Sequence, residues 1–96
     1  MNTKYIPKPI DTSNVAVPQE LMELAELLAE NAHENWSAGR MKEGWKYGAQ
    51  RNDAEKLHPD LVPYAELSDG EKEFDRVTSM ESIKVLLALG YEIRRR

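Results

Sequence analysis

Two stretches with the periodicity of amphipathic helices, separated by a segment rich in turn-forming residues, constrain the fold of this chain more than any other feature. In the first stretch, Pro18 suits the first position of a helix, and Gly44 suits a position just beyond a helix end. Apolar side chains between them recur at the spacing of one helical face: Leu21, Leu24, Ala25, Leu28, Ala32 and Trp36, with Leu27 broadening the stripe. The pattern predicts a helix from Pro18 to about Met41 that buries this stripe.

The second helical stretch opens at Ser68, which forms a capping box with Glu71. A second pair of the same kind, Thr78 and Glu81, predicts that the helix breaks or restarts near residues 77–79. The apolar stripe of this stretch contains Met80, Ile83, Leu86 and Leu87.

The remaining segments predict shorter structures. Gly90 lies where a left-handed cap ends a helix, and the glycine-bracketed Trp-Lys-Tyr at 44–48 favours a short strand or an extended turn. The other predictions are an extended arm over 1–17, a structured loop over 49–66 with a helical turn near 53–56, and a short edge strand over 91–93. The predicted fold is mainly α: two antiparallel helices, a long structured loop and short extended β segments.

Length and composition fit one domain, 1–96, because 96 residues support a single compact core. The net charge is −4, although Arg94, Arg95 and Arg96 supply three of the 13 basic residues. The acidic remainder argues against nucleic-acid binding, which needs a basic face. The sequence has no cysteine, no apolar run long enough to span a membrane and no signal-peptide pattern, so we expect a cytoplasmic protein.

Aromatic and basic residues near the end of the first helix have the chemistry of a ligand site. Trp36 is interpreted either as core or as a platform for a flat ligand, with stacking worth roughly 1–3 kcal/mol per nucleobase. Arg40 follows one turn later, and a guanidinium beside an indole suits a flat anion such as a nucleotide. The candidate ligand-binding residues are Asn31, His33, Trp36, Arg40, Trp45, Tyr47 and Arg51.

The sequence predicts no metal, cofactor or catalytic site. His33 begins a stretch like a zinc-protease helix, but Ser37 stands where that motif needs its second histidine. His58 is the only other histidine, and it precedes a proline in the loop. The serines lie in no nucleophile-elbow context, and the acidic residues are spread over helix faces that we expect to be solvated.

Several segments, in order and at matching spacing, resemble the RyR domain. This repeat occurs in tandem pairs in ryanodine receptor calcium channels and as single copies in bacterial and phage proteins. The segments are residues 11–13, 28–36, 44–48, 58–59 and 86–91, and the resemblance covers about residues 5–93. It implies a small helical unit with short strands.

The resemblance also implies a ligand cleft. In the tandem pairs, the tryptophan that matches Trp36 faces the partner repeat, and an adenine nucleotide can lie between the two repeats. Because this chain has one repeat, we expect a homodimer that rebuilds the pair, with Trp36 and Arg40 of each copy at the seam. By analogy with single-copy bacterial relatives, the resemblance also implies a role in sensing nucleotide-derived signals.

Three functional hypotheses remain open on the sequence. The first is a non-enzymatic cytoplasmic module that binds a nucleotide or nucleotide derivative. The second is a structural protein–protein interaction domain without a small-molecule ligand. The third and least favoured is an enzyme such as a nucleotide hydrolase. Exposure of Trp36 separates the first two, because a fully buried indole offers no platform.

Overall fold

The computed structural model describes residues 4–96, so residues 1–3 of the predicted arm lie outside the described part of the chain. In chain order the elements are helix α1 (Gln19–Lys42), strand β1 (Lys46–Tyr47), strand β2 (Leu57–His58), a 3-10 turn (Tyr64–Glu66) and helix α2 (Asp69–Ala88). The two strands form a small sheet within the connection between the helices. This architecture confirms the predicted mainly α fold class.

Helix α1 ends just before Gly44, as the sequence predicts. Gly44 has a left-handed φ of 95°, which a residue without a Cβ adopts at little cost. The Gly44 amide donates to the Met41 carbonyl at 3.0 Å, and the Trp45 amide donates to the Arg40 carbonyl at 3.0 Å. These two bonds form a Schellman motif. The motif turns the chain back on the helix end and holds Trp45 next to Arg40.

The buried face of α1 differs from the predicted stripe. Its buried residues follow one i, i+4 row: Leu21, Ala25, Ala29, His33 and Ser37. Leu27 and Leu28, both predicted to be core, are 63% and 38% exposed. Small side chains along the row let the neighbouring segments approach closely, and Ala29 packs directly against Tyr64 and Leu67. The prediction is confirmed for Leu21, Leu24 and Ala25, which pack in the core. It is wrong for Leu27, Leu28 and Ala32, which are exposed, because apolar periodicity does not show which row the neighbouring segments cover.

Helix α2 begins with the predicted capping box and then runs without a break. Ser68 Oγ accepts from the Glu71 amide at 3.2 Å, and the Ser68 amide donates to Glu71 Oε1 at 3.1 Å. The predicted break near residues 77–79 is wrong, because the helix is continuous from Asp69 to Ala88. Ser79 and Ile83 are buried one turn apart, and their packing favours a continuous helix through this region.

The end of α2 is a second Schellman motif. Gly90 has a φ of 95°, its amide donates to Leu87, and the Tyr91 amide donates to Leu86. The predicted edge strand at residues 91–93 is wrong, since β1 and β2 pair only with each other in the described part of the chain. Ile93 instead packs against the core between the helices.

Strands β1 and β2 are parallel, with Lys46 opposite Leu57 and Tyr47 opposite His58. The connection between them closes through an antiparallel bridge between Asn52 and Leu57. Gly48 follows β1 at a point of close approach: a Cβ built there would lie 2.6 Å from the Leu57 Cβ. The pairing confirms the short strand predicted within 44–48 and brings His58 toward the end of α1.

The fold has two small cores, and the first lies between the two helices. Leu21, near the start of α1, clusters with Ile83 near the end of α2. Further along α1, Glu26 accepts a hydrogen bond from the Arg76 guanidinium at 2.6 Å. Arg76 comes before Ile83 in α2. The contacts therefore run in opposite orders along the two helices. The second core, which contains Ala29, joins α1 to the segment that carries the 3-10 turn.

The N-terminal arm is anchored near its middle. Thr12 is buried, and its hydroxyl donates to Glu81 Oε2 on α2 at 2.8 Å. Val17 packs on the first core where the arm enters α1. Residues 4–18 form no regular helix or strand.

Candidate functional site

The second half of α1 carries His33, Trp36 and Arg40, three and four residues apart and therefore on one helical face. The His33 and Trp36 rings are 5.7 Å apart and nearly parallel, with an interplanar angle of 28°. His33 is buried, whereas Trp36 and Arg40 are each partly exposed. The helix thus presents a row of two rings and a guanidinium to the small sheet.

Strand β2 adds His58 to this row, and Trp45, just before β1, adds a fourth ring. The His58 ring meets the Trp36 ring edge to face at 4.9 Å and lies 6.2 Å from the Trp45 ring. Strand pairing fixes His58, and its Nδ1 accepts from the Asp60 amide at 3.0 Å. Four aromatic rings from three segments of the chain therefore converge at the end of α1.

Arg40 lies near both indole rings. Its Cζ is 5.9 Å from the Trp36 ring centroid and 5.3 Å from the Trp45 ring centroid, which is cation–π range. Its acidic neighbour Glu43 is 3.8 Å away, and the Arg40 side chain is 38% exposed. We call Trp36, Arg40 and Trp45 the indole platform. It combines a positive charge with aromatic surface at the edge of an open groove of about 540 Å³.

His33 lies beneath the platform as part of the packed interior. It is 5% exposed, and its Nε2 lies 2.7 Å from the Val62 carbonyl oxygen. Because a carbonyl can only accept, Nε2 carries the proton and donates. The same nitrogen is 3.4 Å from Ser37 Oγ. His33 therefore ties α1 to the segment that follows β2.

A cleft of about 360 Å³ opens between α1, the segment after β2 and α2. We call it the acidic cleft, because its charged lining side chains are Asp60, Glu71 and Asp75. Its other lining residues are Ala32, His33, Trp36, His58, Leu67 and Phe74. Trp36 therefore borders both the acidic cleft and the groove beside Arg40.

Two of the cleft carboxyl groups interact directly. A hydrogen bond with Glu71, helped by burial, raises the pKa of Asp60 above its ordinary value. The same contact and the capping bonds from Ser68 lower the pKa of Glu71. Two carboxyl groups that shift each other's pKa values in opposite directions titrate as a pair.

The other predicted ligand residues lie further from the platform. Arg51 is exposed and donates to Asp53 at 2.8 Å. This bond lowers the pKa of Asp53, and Arg40 and His58 contribute in the same direction, so the pair lies close enough to influence the platform electrostatically. Tyr47 is 58% exposed on β1. Asn31 is exposed on α1 at an angular position away from the face of His33, Trp36 and Arg40.

Sequence reasoning missed the residues that the tertiary fold adds. The metal motif excludes His58 as a ligand, but an imidazole can also pack as an aromatic ring, as His58 does against Trp36. Glu71 was interpreted as a capping residue only, and Asp60 and Phe74 were not singled out. Their proximity depends on the sheet and on the packing of α2, which local patterns do not report.

The family model for the RyR domain matches residues 5–95, which include both helices, the sheet, the indole platform and the acidic cleft. The chain belongs to the RyR-domain family. Membership of the RyR-domain family indicates a binding or interaction module and specifies no ligand. Within residues 4–96, no helix of this RyR domain is long and apolar enough to cross a membrane.

Proposed function

We propose that this RyR-domain protein is a non-enzymatic binding module that takes a flat, anionic ligand of the nucleotide class on the indole platform. The observation that carries the proposal is the position of Arg40, held within 5.3 and 5.9 Å of the Trp45 and Trp36 rings with its side chain still partly exposed. A ligand base can stack on the exposed part of an indole while the guanidinium binds a phosphate through two parallel hydrogen bonds.

The roles in this proposal follow from the surroundings of each residue. Trp36 and Trp45 supply stacking surface, and Arg40 supplies the main charge because its bridge to Glu43 is long and exposed. Arg51 has a secondary role, since the carboxylate of Asp53 already neutralises much of its charge. Tyr47 and Asn31 are exposed and would reach only a ligand that extends beyond the platform. His33 acts by supporting the Trp36 ring.

A thermal-shift titration tests the proposal, because a ligand that binds only the native state raises the melting temperature by mass action. The panel contains adenine and guanine nucleotides, cyclic dinucleotides and ADP-ribose. Arg40→Gln removes the platform charge, and Arg94→Gln removes the same charge from the exposed C-terminal end, where the side chain is 85% exposed.

We expect a shift for at least one compound that survives in Arg94→Gln and is lost in Arg40→Gln and Trp36→Leu. Absence of any shift in the unmodified protein, or full retention of binding in Arg40→Gln, would refute nucleotide binding at the platform. If the bound nucleotide were also consumed, and His33→Ala abolished its consumption, the non-enzymatic part of the proposal would be wrong.

We further propose that two copies pair with Trp36 and Arg40 of each copy at the seam. The chain exposes 7813 Å², whereas surface scaling gives about 5,600 Å² for a compact folded monomer of its mass. The difference exceeds the roughly 800 Å² that each partner buries in a standard interface. Light scattering at tens of micromolar tests the pairing, and a single 11.0 kDa species would contradict it.

The second candidate function is a protein-interaction domain without a small-molecule ligand. It is favoured by apolar side chains that α2 leaves exposed, among them Phe74 at 73% and Val77 at 51%. Exposed apolar patches of this kind mark interaction sites in soluble proteins. A null nucleotide panel, together with dimerisation that Phe74→Ser abolishes, would favour this function over nucleotide binding.

A further inference from the structure

We propose that the N-terminal arm of a second copy of this chain docks in an apolar groove of about 660 Å³ beside the first half of α1. We call it the arm groove. Its apolar lining consists of Leu21, Leu24, Leu27 and Ile93. Leu27 and Trp36 are nine residues apart, so they lie roughly 180° apart around α1. The contact is therefore separate from the nucleotide platform and from the proposed pairing at Trp36, and it stands or falls independently of both.

The arm carries the apolar side chains that such a groove requires. Tyr5, Ile6 and Ile10 are 79%, 73% and 51% exposed. Pro7 and Pro9 lie among them and restrict the backbone to extended geometry. An extended segment of this kind loses little further backbone entropy on binding, which is why proline-rich peptides suit apolar grooves. The arm is thus prepared for docking and is left uncovered by its own chain.

The charges of the arm and the groove are complementary. Glu20 and Glu23 line the groove beside its leucines. Every charged side chain in residues 4–10 is basic, Lys8 among them. No salt bridge within residues 4–96 engages Lys8, Glu20 or Glu23. An arm that enters the groove therefore brings a positive charge to carboxylates that no basic side chain of their own copy neutralises.

The basic part of the groove also has a counterpart in the arm. Arg94 and Arg95 line the groove together with Ile93. Asp11, the next charged residue of the arm after Lys8, is exposed. A groove that carries both charges thus receives an arm that carries both, and such complementarity fixes the register of a contact.

The anchor of the arm favours a second copy over the chain's own arm. Thr12 donates to Glu81, and Glu81 lines a cleft with Met22 of α1. Met22 and Leu24 are two residues apart, so they point roughly 160° apart around the helix. The arm is therefore held on the far side of α1 from the groove. None of residues 4–10 lines the groove of its own chain.

The exposed surface leaves room for this contact in addition to the pairing at Trp36. The chain exposes 7813 Å², roughly 2,200 Å² more than surface scaling gives for a compact monomer of its mass. A standard interface takes roughly 800 Å² from each partner. Two different contacts therefore fit within the excess, and where both form, each copy touches two neighbours.

Single cysteine variants can report which copy fills the groove, because the sequence has no cysteine. Ile6→Cys marks the arm, Leu27→Cys marks the groove, and Met41→Cys is the matched control. Met41 lies on the same helix outside the groove and is 56% exposed, against 63% for Leu27. Pairs of these full-length variants are mixed at tens of micromolar in a glutathione redox buffer. Mass spectrometry then measures the disulfide that joins one variant to the other.

We expect Ile6→Cys to cross-link to Leu27→Cys at least about tenfold more than to Met41→Cys. The reason is that docking raises the effective concentration of the arm at the groove to about the millimolar range. Equal cross-linking to both partners would overturn the proposal. In a double variant with Ile6→Cys and Leu27→Cys in one chain, closure within single chains at high dilution would also overturn it, because the chain's own arm would then be the occupant.

Charge reversal tests the complementarity. Glu23→Lys in the groove variant should lower the cross-linking at least about threefold, the loss of a surface ion pair, and Lys8→Glu in the arm variant should restore it. Glu55→Lys, in the exposed connection between the helices, is the control and should have no effect. Cross-linking that Glu23→Lys leaves unchanged, or that Trp36→Leu abolishes, would place the contact elsewhere and overturn the proposal.

Discussion

Replacing Gly48 with alanine should separate β1, which directly follows Trp45, from β2, which carries His58. A Cβ at this position would lie 2.6 Å from the Cβ of Leu57, and 3.2 and 3.1 Å from its Cγ and Cδ1. Carbon atoms prefer a separation of about 3.5–4.0 Å, so the strands must move apart by roughly 1 Å. Rotation of the Leu57 side chain cannot relieve the closest contact, because Cβ is fixed to the backbone. The Gly48 amide also donates to the His58 carbonyl at 3.3 Å, and this bond would lengthen.

We expect Gly48→Ala to reduce the free energy of unfolding by about 1–3 kcal/mol, as overpacking does elsewhere. For a domain of this size that lowers the melting temperature by roughly 4–8 °C per kcal/mol. Gly39→Ala is the matched control, because no heavy atom lies within 4 Å of a Cβ there and the residue is helical. That change should stabilise by up to about 1 kcal/mol.

Urea unfolding followed by tryptophan fluorescence measures both variants, and the near-ultraviolet circular dichroism of the folded protein reports the ring cluster. We expect Gly48→Ala to change the aromatic spectrum and Gly39→Ala to leave it unaltered. The reasoning is refuted if Gly48→Ala unfolds at the same or a higher urea concentration than the unmodified protein. A stability loss without any spectral change would refute the link between strand pairing and the ring cluster.

Three further predictions concern helix ends and the contact between the helices. Ser68→Ala should destabilise the protein by about 1 kcal/mol because it removes the capping bond, whereas Thr78→Ala in the continuous part of α2 should cost under about 0.5 kcal/mol in urea unfolding. Gly90→Ala should cost about 1–2 kcal/mol in the same assay, because a side chain is strained at a φ of 95°. The Arg76 guanidinium lowers the pKa of Glu26, so this pair stabilises the fold above the unfolded-state pKa of the carboxyl. Its contribution is lost as the pH falls through the lowered folded-state pKa, and Glu26→Gln should flatten that acid limb of a stability–pH curve.

The ends of the helices were predictable because capping is local chemistry. At each of these ends, the hydrogen-bonding group lies within four residues of the backbone atoms that it satisfies. The groups belong to the Ser68–Glu71 pair, to Gly44 and to Gly90. The same local rule failed at Thr78, where a capping pair occurs in the middle of a helix. A capping pair interrupts a helix only where the chain must turn, and the burial of Ser79 in the middle of α2 favours a continuous helix there.

The face of α1 and the composition of the site depended on contacts between distant segments. Periodicity identified the helix but could not decide between two adjacent rows, because the choice depends on what covers Ala29. His58 reaches Trp36 only through the pairing of β1 with β2, each two residues long. Such short strands carry little propensity signal, and the parallel register cannot be read from them.

Trp36 is half-buried, so the two interpretations that the sequence leaves open, a core residue and a platform for a ligand, are compatible. Its ring contacts His33 on its own helix and His58 from the sheet, so part of the indole joins α1 to the sheet. The remainder borders the acidic cleft on one side and the groove beside Arg40 on the other. Rigid attachment is an advantage for a binding surface, because a side chain already ordered by packing loses little further entropy when a ligand stacks on it. The contacts that stabilise the fold would therefore also order the indole for the binding that we propose.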